Sequence, residues 1–371
     1  MFIKFTHFLY KNILRRIIFL FNSETIHDFT TALGEFLGKF KLLRNLTKIF
    51  LDFENERLAQ KINNIYFKNP IGLAAGFDYQ AKLIEILPSI GFGFETVGTV
   101  TNKPYQGNPK PRLGRLVKSR SLMVYKGFKN EGIRKIVEKL KNKKLESPVG
   151  LSIGKTNSQK DNMTQNDAVL DIVSAFKIAE NANLKIAYYE LNISCPNLYG
   201  NVTFYTPGNL DELLKAITKL NLKKPIFIKM PISKSDKEIL EMLRVIVKFP
   251  INGIIFGNTQ TNRKDKSFNQ EELKKYPFGN FSGKPTEKRS NELIQLAYKK
   301  YGKKLTIIGC GGVFSGKDAY RKIRLGASLV QLITGLVFEG PQLASQINWE
   351  LNENLKKDGF KQISEAIGID A

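Results

Sequence analysis

The chain has 371 residues, an apolar fraction of 42% and a formal net charge of +24 at neutral pH. This length and apolar content exclude a disordered chain and allow one large α/β barrel or two modest domains. Two cysteines provide no disulfide framework and two histidines provide no metal-ligand cluster, which favours a reducing compartment and metal-free chemistry. The positive charge would suit nucleic acid or an acidic membrane face, but lysine is spread along nearly every polar helix face, so charge alone does not identify the partner.

The first segment, residues 1–21, interleaves apolar residues with four lysines and arginines. This pattern predicts a helix lying on a surface, because it is too often charged for a transmembrane helix and lacks the cleavage site of a signal peptide. A second amphipathic helix is predicted over residues 23–40, with Ser23 as its N-cap. The two helices predict a hairpin that contacts a membrane or packs as a lid on the main domain. We assign residues 1–45 to this segment and 46–371 to the main domain.

From Ile71 onward, short apolar runs that end near glycine alternate with amphipathic segments. Eight such units in series predict a (β/α)8 barrel. A doubly wound sheet is the competing arrangement, but no Gly-x-Gly-x-x-Gly loop follows the first run. The runs are residues 71–75, 94–100, 149–153, 188–193, 226–230, 253–256, 305–308 and 328–333.

The fourth run ends in Asn192-Ile193-Ser194-Cys195-Pro196-Asn197, a thiol flanked by carboxamides at a strand end. Loops after barrel strands build the active site, so Cys195 is a candidate base. Neighbours would have to lower its pKa, because a free thiol is mostly protonated at neutral pH. The alternative is a buried, inert cysteine. Lys229 ends the fifth run and either stabilises negative charge at the barrel mouth or caps the strand in solvent.

Two late glycine-rich turns, residues 309–312 and 334–335, follow the last two runs. Backbone amides in such turns, together with the start of a helix predicted over residues 315–324, would form an anion cradle. Tight turns explain the glycines equally well.

Many further short sequence motifs follow one another along the chain. They are Asn69 to Asp78, Gly91 to Glu95, Gly98 to Thr101, Lys103-Pro104, Gly107 to Leu113, Gly127-Phe128, Gly154-Lys155, Asn192 to Asn197, Gly309 to Gly312, Ser315-Gly316, Gly326 to Gln331, Thr334-Gly335 and Gly340-Pro341. In these motifs, which cover nearly the whole chain, the sequence resembles the dihydroorotate dehydrogenases, specifically their membrane-associated, quinone-reducing class.

The resemblance implies an FMN-containing barrel that oxidises a dihydropyrimidine in pyrimidine biosynthesis, with Cys195 at the base position. It implies a quinone tunnel lined by His27 and Arg115 and a peripheral location on the cytoplasmic face of the inner cell membrane. It implies a monomer without a nucleic-acid partner or a metal. The implied substrate contacts are Asn192, Asn197, Asn258 and Thr259. The implied FMN contacts are Ala74, Ala75, Gly76, Thr99, Ser152, Asn192, Lys229, Gly257, Ser282, Gly283, Gly311, Gly312, Thr334 and Gly335.

The sequence departs from the family pattern at four positions. The quinone-dependent class normally has serine where this chain has Cys195. Tyr79 replaces a lysine that binds the substrate carboxylate, Val124 replaces a substrate-binding asparagine, and Ser152 replaces a flavin-contacting asparagine. Lys126, or a lysine from a neighbouring loop, is a candidate replacement cation.

Three hypotheses remain open at this point. The first is a dihydroorotate dehydrogenase. The second is a related flavin enzyme that acts on an uncharged cyclic amide. The third is an RNA-modifying flavin barrel of the dihydrouridine synthase kind, against which the short segment after Trp349 argues.

Overall fold

Eight parallel strands form a closed barrel in the computed structural model, which describes residues 2–160 and 162–371. Each strand pairs with its neighbours in chain order, and the last pairs with the first. The predicted (β/α)8 barrel is thereby confirmed, and each predicted apolar run contributes one strand. The strands, named β1 to β8, are Ile71–Leu73, Phe94–Val100, Val149–Ile153, Tyr188–Asn192, Ile226–Met230, Gly253–Phe256, Thr306–Cys310 and Leu329–Leu332.

Amphipathic helices surround the barrel and bury their apolar faces against its outer surface. Two of them begin at complete capping boxes, Thr164 with Asp167 and Ser235 with Glu238, which satisfy backbone N–H groups at the helix starts. The helices are Ile133–Lys141, Gln165–Asn181, Pro207–Thr218, Asp236–Ile246, Gln270–Lys274, Glu287–Tyr301, Gly316–Arg324, Thr334–Glu339 and Leu343–Lys357.

The two ends of the barrel are covered differently. A short antiparallel hairpin, Gln60–Ile62 with Ile65–Phe67, lies at the amino-terminal end, where Phe67 packs in the lower barrel core. The other end carries a three-stranded antiparallel sheet made of Leu113–Leu116, Ser121–Val124 and Asn280–Gly283. This second sheet places Arg115, Ser282 and Gly283 beside the carboxyl ends of the barrel strands.

The amino-terminal segment is helical, as predicted. Its helices are Phe2–Leu9, a π-helical turn Tyr10–Leu14, Arg15–Ile18, Ser23–Lys39 and Lys41–Leu51. The predicted N-cap Ser23 is wrong by one residue, because the Asn22 side chain accepts hydrogen bonds from the backbone N–H groups of Glu24 and Thr25. The helix Lys41–Leu51 also continues through the proposed domain boundary at residue 45. Met1 lies outside the described residues.

The hairpin formed by residues 2–51 carries an apolar outer surface. Sixteen of the twenty-two exposed large apolar side chains in residues 2–160 and 162–371 belong to it, including Leu20, which is 83% exposed, and Ile49, which is 72% exposed. The helix Lys41–Leu51 packs on the short 3-10 turn Leu87–Ile90 between β1 and β2. Among the described helices, none has the length and apolar content needed to cross a bilayer.

Candidate active site

A cavity of about 640 Å³ lies between the carboxyl ends of the barrel strands and the amino-terminal hairpin. Its volume is in the range of ligand pockets. It brings together, as predicted, residues from every part of the chain. The predicted residues that line it are His27, Ala74, Ala75, Gly76, Thr99, Arg115, Asn192, Cys195, Asn197, Lys229, Gly257, Asn258, Thr259, Ser282, Gly283, Gly311, Gly312, Thr334 and Gly335.

Ser152 does not line the cavity, in contrast to its predicted role as a cofactor contact. It is fully buried one layer below, where its hydroxyl donates to Glu190 Oε1 at 2.7 Å and lies 2.8 Å from Thr99 Oγ1. A serine side chain is shorter than the asparagine of the family pattern, so its hydroxyl stays inside the barrel. Thr99 is the residue of this pair that reaches the cavity.

The amide groups of Asn192 and Asn258 are oriented by the same kind of hydrogen bonds: the oxygen accepts from the protein and the nitrogen donates one hydrogen bond to it. Asn192 Oδ1 accepts from the Ser194 backbone N–H at 3.2 Å and from its hydroxyl at 2.9 Å, while Nδ2 donates to Thr99. Asn258 Oδ1 accepts from the backbone N–H of Thr259, and its Nδ2 donates to Ser194. Backbone donors therefore fix the orientation of both amides, and each retains one N–H group without a partner among the described residues.

The Asn197 side chain is also held by hydrogen bonds within the protein. Its Nδ2 donates to the backbone carbonyl of Val124 at 3.1 Å and its Oδ1 accepts from Asn280 at 2.7 Å. The carboxamide oxygens of Asn192 and Asn258 each accept two protein donors, whereas Asn197 Oδ1 accepts one and keeps a second lone pair. Asn192 and Asn258 therefore offer N–H donors rather than acceptors to a ligand, which is a narrower function than the mixed donor and acceptor role expected of asparagine.

Cys195 lies at the cavity wall with an electrostatic environment opposite to the one expected. Burial raises the pKa of its thiol to about 11, although a hydrogen bond from the Asn197 backbone and the charge of Lys229 both lower it. Without a bound ligand the sulfur is therefore protonated at neutral pH. The Cys195 thiol must therefore lose its proton before it can act as a base.

Lys229 is buried at the cavity floor, with only 4% of the residue exposed. Its strand β5 pairs with β4 so that Lys229 lies beside Asn192. The alternative of a lysine that caps a strand in bulk solvent is excluded by this burial. Its ammonium group supplies positive charge under any ring that occupies the cavity.

Free backbone donors lie at the two predicted glycine turns. Within residues 2–160 and 162–371, the N–H groups of Gly312, Thr334 and Gly335 have no hydrogen-bond acceptor. The helix Gly316–Arg324 contributes less than expected, because two N–H groups of its first turn are already occupied: Gly316 donates to Glu350 at 2.5 Å and Asp318 donates to the Ser315 hydroxyl at 3.3 Å. The glycine turns, rather than the helix start, provide the available donors.

Three side chains form a stack on the hairpin side of the cavity. The His27 ring lies parallel to the Tyr79 ring with centroids 5.5 Å apart, and the Lys126 ammonium lies 4.5 Å from the centre of the Tyr79 ring. His27 Nε2 bonds to the Phe77 carbonyl at 2.9 Å. Burial and then the nearby Lys126 charge lower the pKa of His27 to about 4, so the ring is neutral. Burial lowers the pKa of Lys126 to about 8.

Arg115 connects the second sheet to the hairpin. Its guanidinium donates to the Phe21 carbonyl at 2.8 Å and lies 4.7 Å from the centre of the Phe19 ring. Burial lowers the pKa of this group from its ordinary value. Arg115 and His27 line the same cavity, and Arg115 is bonded to the hairpin of which His27 is a part; their role in a quinone tunnel stays a prediction.

Comparison with known proteins assigns the chain to a family. The model of the family described as "Dihydroorotate dehydrogenase" matches residues 57–355. A protein from Christiangramia forsetii named "Dihydroorotate dehydrogenase (quinone)" is 36% identical over 353 residues, which are 93% of this chain and 99% of that protein. A protein of the same name from Nitratiruptor sp. is 33% identical over 358 residues, 96% of this chain and 98% of that protein.

A solved structure gives the same result. The crystal structure of DHODH from Eimeria tenella in complex with ferulenol superposes with a TM-score of 0.82 at 27% identity, covering 94% of this chain and 95% of that one. These matches and the site geometry define the protein as a flavin-dependent oxidoreductase. The chain belongs to the dihydroorotate dehydrogenase family, in its quinone-dependent class.

Among the residues of the site region to which the sequence analysis gave no role are Phe128 and Glu190. Phe128 lines the cavity and has a positive φ of 63°, a backbone conformation that bulky residues rarely adopt. Glu190 is a fully buried acid inside the apolar run of β4. Glu190 could have been found from the sequence, because an acidic residue inside an apolar strand needs a hydrogen-bond or charge partner when it is buried.

Proposed function

We propose that the protein oxidises dihydroorotate to orotate in pyrimidine biosynthesis, with FMN as its cofactor and a membrane quinone as the electron acceptor. The observation that carries this proposal is the single cavity that is lined both by the polar groups of the barrel mouth and by apolar residues of the hairpin. A polar ring would bind near Cys195, and an apolar acceptor would enter between the helices. The names of the relatives support the same activity.

The residues present fit an FMN molecule. A cation, Lys229, lies at the floor, and free N–H groups of Gly312, Thr334 and Gly335 are available to a phosphate. At Gly76 an added Cβ would meet nothing nearer than Ile333 at 3.7 Å, so this glycine leaves open cavity space. When bound, FMN would supply the acceptor for a hydride.

The protein side of the reaction is a proton transfer at the substrate ring. Cys195 would remove the proton from the carbon beside a carbonyl group while the adjacent carbon gives up its hydride, so the ring loses two electrons and two hydrogens. The free N–H groups of Asn192, Asn197 and Asn258 would donate to carbonyl oxygens of the ring and fix its orientation. A ring rich in acceptors suits this donor set.

The acceptor side of the proposal rests on the hairpin. Its partly buried residues Ile18 and Leu37 line the cavity, and the half-exposed Leu14 and Leu33 line it as well, while further apolar side chains of the hairpin such as Leu20 and Ile49 are exposed. A surface of this kind favours insertion into the interfacial layer of a membrane, where quinones are dissolved. We place the protein as a monomer at the cytoplasmic face of the inner cell membrane.

A neutral cyclic amide is the second candidate substrate, because Tyr79 and Val124 replace the family contacts. One observation favours the anionic substrate: Lys126 brings a buried ammonium to the cavity, and no carboxylate forms an ion pair with it within residues 2–160 and 162–371. An unpaired buried cation is stabilised by a bound anion. The family assignment also argues against the RNA-modifying alternative.

Anaerobic mixing of the purified protein with dihydroorotate, and separately with dihydrouracil, distinguishes the two substrates. Rapid bleaching of the flavin absorbance by dihydroorotate, followed by recovery on addition of a quinone, supports the proposal. Bleaching by dihydrouracil alone would replace dihydroorotate with a neutral substrate. A protein that neither contains nor binds FMN would refute the proposed cofactor.

A further inference from the structure

Glu190 lies directly behind the lysine at the cavity floor. It is fully buried on β4, and its Oε1 lies 4.0 Å from Lys229 Nζ on the adjacent strand β5. Lys229 lines the cavity, whereas Glu190 does not. Among the described residues, Glu190 is the acidic partner of Lys229 within ion-pair distance. The cation thus separates a buried carboxylate from the ligand.

Glu190 also ends a chain of hydrogen bonds that begins at the cavity. Asn192 donates to Thr99 at 2.8 Å, Thr99 lies 2.8 Å from Ser152, and Ser152 donates to Glu190 at 2.7 Å. Since Ser152 gives its proton to the carboxylate, Thr99 must donate to Ser152. The carboxylate therefore sets the direction of the Ser152 and Thr99 hydroxyl protons, and this direction agrees with the orientation that the Ser194 backbone N–H gives to the Asn192 amide.

Stability alone does not explain this carboxylate. Its second oxygen, Oε2, is buried and has no hydrogen-bond partner in the described part of the chain. Burying a carboxylate with one unsatisfied oxygen carries a free-energy cost, and a buried ion pair is often no more stable than an apolar replacement. A costly charge next to a ligand-facing lysine points to a role at the site.

We propose that Glu190 is a positioning residue that holds Lys229 at the cavity floor and offsets its charge, so that Glu190 lowers the reduction potential of the bound flavin. This inference rests on the proposed function, which places FMN over Lys229. A reduced flavin carries more negative charge than an oxidised one, and a neighbouring carboxylate disfavours it. Neutralising Glu190 would leave the full charge of Lys229 to stabilise the reduced form.

The test compares the midpoint potential of FMN in the wild-type holoprotein and in Glu190→Gln, measured against a reference dye. Glutamine keeps the shape and an oxygen acceptor for Ser152 but removes the charge. The expected result is a potential more positive by at least about 30 mV, which is about a tenfold change in the two-electron equilibrium constant. An unchanged potential in a variant that binds FMN normally would overturn the proposal.

Glu95→Gln is the matched control. Glu95 is also a fully buried glutamate in a barrel strand, and burial raises its pKa well above the ordinary value, but among the described residues it forms no ion pair with Lys229. Its variant should keep the wild-type potential. An equal shift in both variants would overturn the proposal, because it would not depend on the pair with Lys229.

If Glu190→Gln fails to fold, the same comparison is made between Lys229→Met and the double variant Lys229→Met/Glu190→Gln, in which neither member of the pair carries a charge. The double variant should be more positive in potential by the same margin, and equal potentials would refute the role of Glu190. A wild-type protein that binds no FMN would instead refute the proposed function, so the two failures are distinguishable.

Discussion

Lys126 lies against the face of the Tyr79 ring, with its ammonium 4.5 Å from the ring centre. The resemblance implies a lysine at position 79, where this chain has Tyr79, and Lys126 brings a cation to the same cavity. The aromatic face stabilises the ammonium, which has no carboxylate partner among residues 2–160 and 162–371. The arrangement predicts that the charge of Lys126 contributes to binding of an anionic substrate.

Replacing Lys126 with methionine should raise the KM for dihydroorotate by about 10- to 100-fold, since a hydrogen bond to a charged group contributes about 1.5 to 3 kcal/mol. Reduction by a neutral dihydropyrimidine should be unaffected. Lys129→Met is the control, because Lys129 is already paired with Glu24 at 3.0 Å. Equal KM values for dihydroorotate in the wild type and Lys126→Met would exclude this role.

The pH dependence of the same KM provides a second measurement. The pKa of Lys126 is lowered to about 8, chiefly by burial, with Glu24 and Asp28 opposing and Lys129 and Arg112 adding to the decrease. Lys126 is therefore charged below about pH 8 and neutral above it. The KM for dihydroorotate should rise as the pH increases through 8, and this rise should be absent in Lys126→Met.

Replacing Cys195 with alanine should slow anaerobic flavin reduction by about a hundredfold or more, because it removes the proposed base. Cys310→Ala removes the other thiol of the chain and should slow this step by less than about threefold. A normal rate in Cys195→Ala would remove Cys195 from the mechanism, and stopped-flow absorbance measures both variants.

The pH profile of flavin reduction tests the same residue independently. Only the thiolate accepts a proton, and the pKa of Cys195 is raised to about 11. The rate constant should therefore increase with pH across the range 7 to 10, with no plateau below about pH 10. A rate independent of pH over this range would show that proton removal by a thiol of high pKa does not limit the step.

The barrel was predictable from the sequence because strands that are buried on both faces read as continuous apolar runs. Phe94–Val100 and Ile226–Met230 match their predicted bounds in full. The apolar run continues past the strand at residues 71–75, because the backbone turns at Ala74 towards the cavity while the side chains stay buried. Strand ends therefore depend on the loop geometry, which periodicity does not encode.

Most residues that line the cavity could be named from the sequence, but the second layer of side chains beneath them could not. The sequence places Ser152 and Glu190 on neighbouring strands, but only the barrel geometry shows that their side chains bond to each other beneath Thr99. The high pKa of Cys195 could likewise not be predicted from the sequence, because it results from burial in the folded protein. At the hairpin, Asn22 and Ser23 are both good N-cap residues, so local chemistry did not discriminate between them.

His27 predicts that acid loosens the docked hairpin. Its pKa is lowered to about 4 in the folded protein, so between pH 6.5 and 4 the unfolded chain binds a proton that the folded protein does not. The free energy of unfolding should fall by up to about 3 kcal/mol as the pH decreases through this window. Thermal denaturation of the wild type and His27→Gln at several pH values measures the difference.

The other histidine provides the control for this prediction. His7 lies on the first helix with a side chain that is 25% exposed, and His7→Gln removes a histidine while it leaves the buried ring of His27 in place. In His27→Gln the fall should be smaller by the contribution of His27. A decrease of the same size in the wild type and in His27→Gln would show that other groups cause the acid sensitivity.

The exposed apolar surface of the hairpin should bind lipid. Phe29 and Phe36 are 63% and 54% exposed on the helix Ser23–Lys39, so their replacement by serine should leave the melting temperature nearly unchanged. Each phenylalanine that enters the membrane contributes about 1.5 to 3 kcal/mol, so the double variant should bind vesicles at least about a hundredfold more weakly. Phe278→Ser, on the barrel side, is the control because Phe278 is 38% exposed but lies outside the hairpin. Co-sedimentation with vesicles measures the three proteins, and unimpaired binding of the double variant would locate the lipid contact elsewhere.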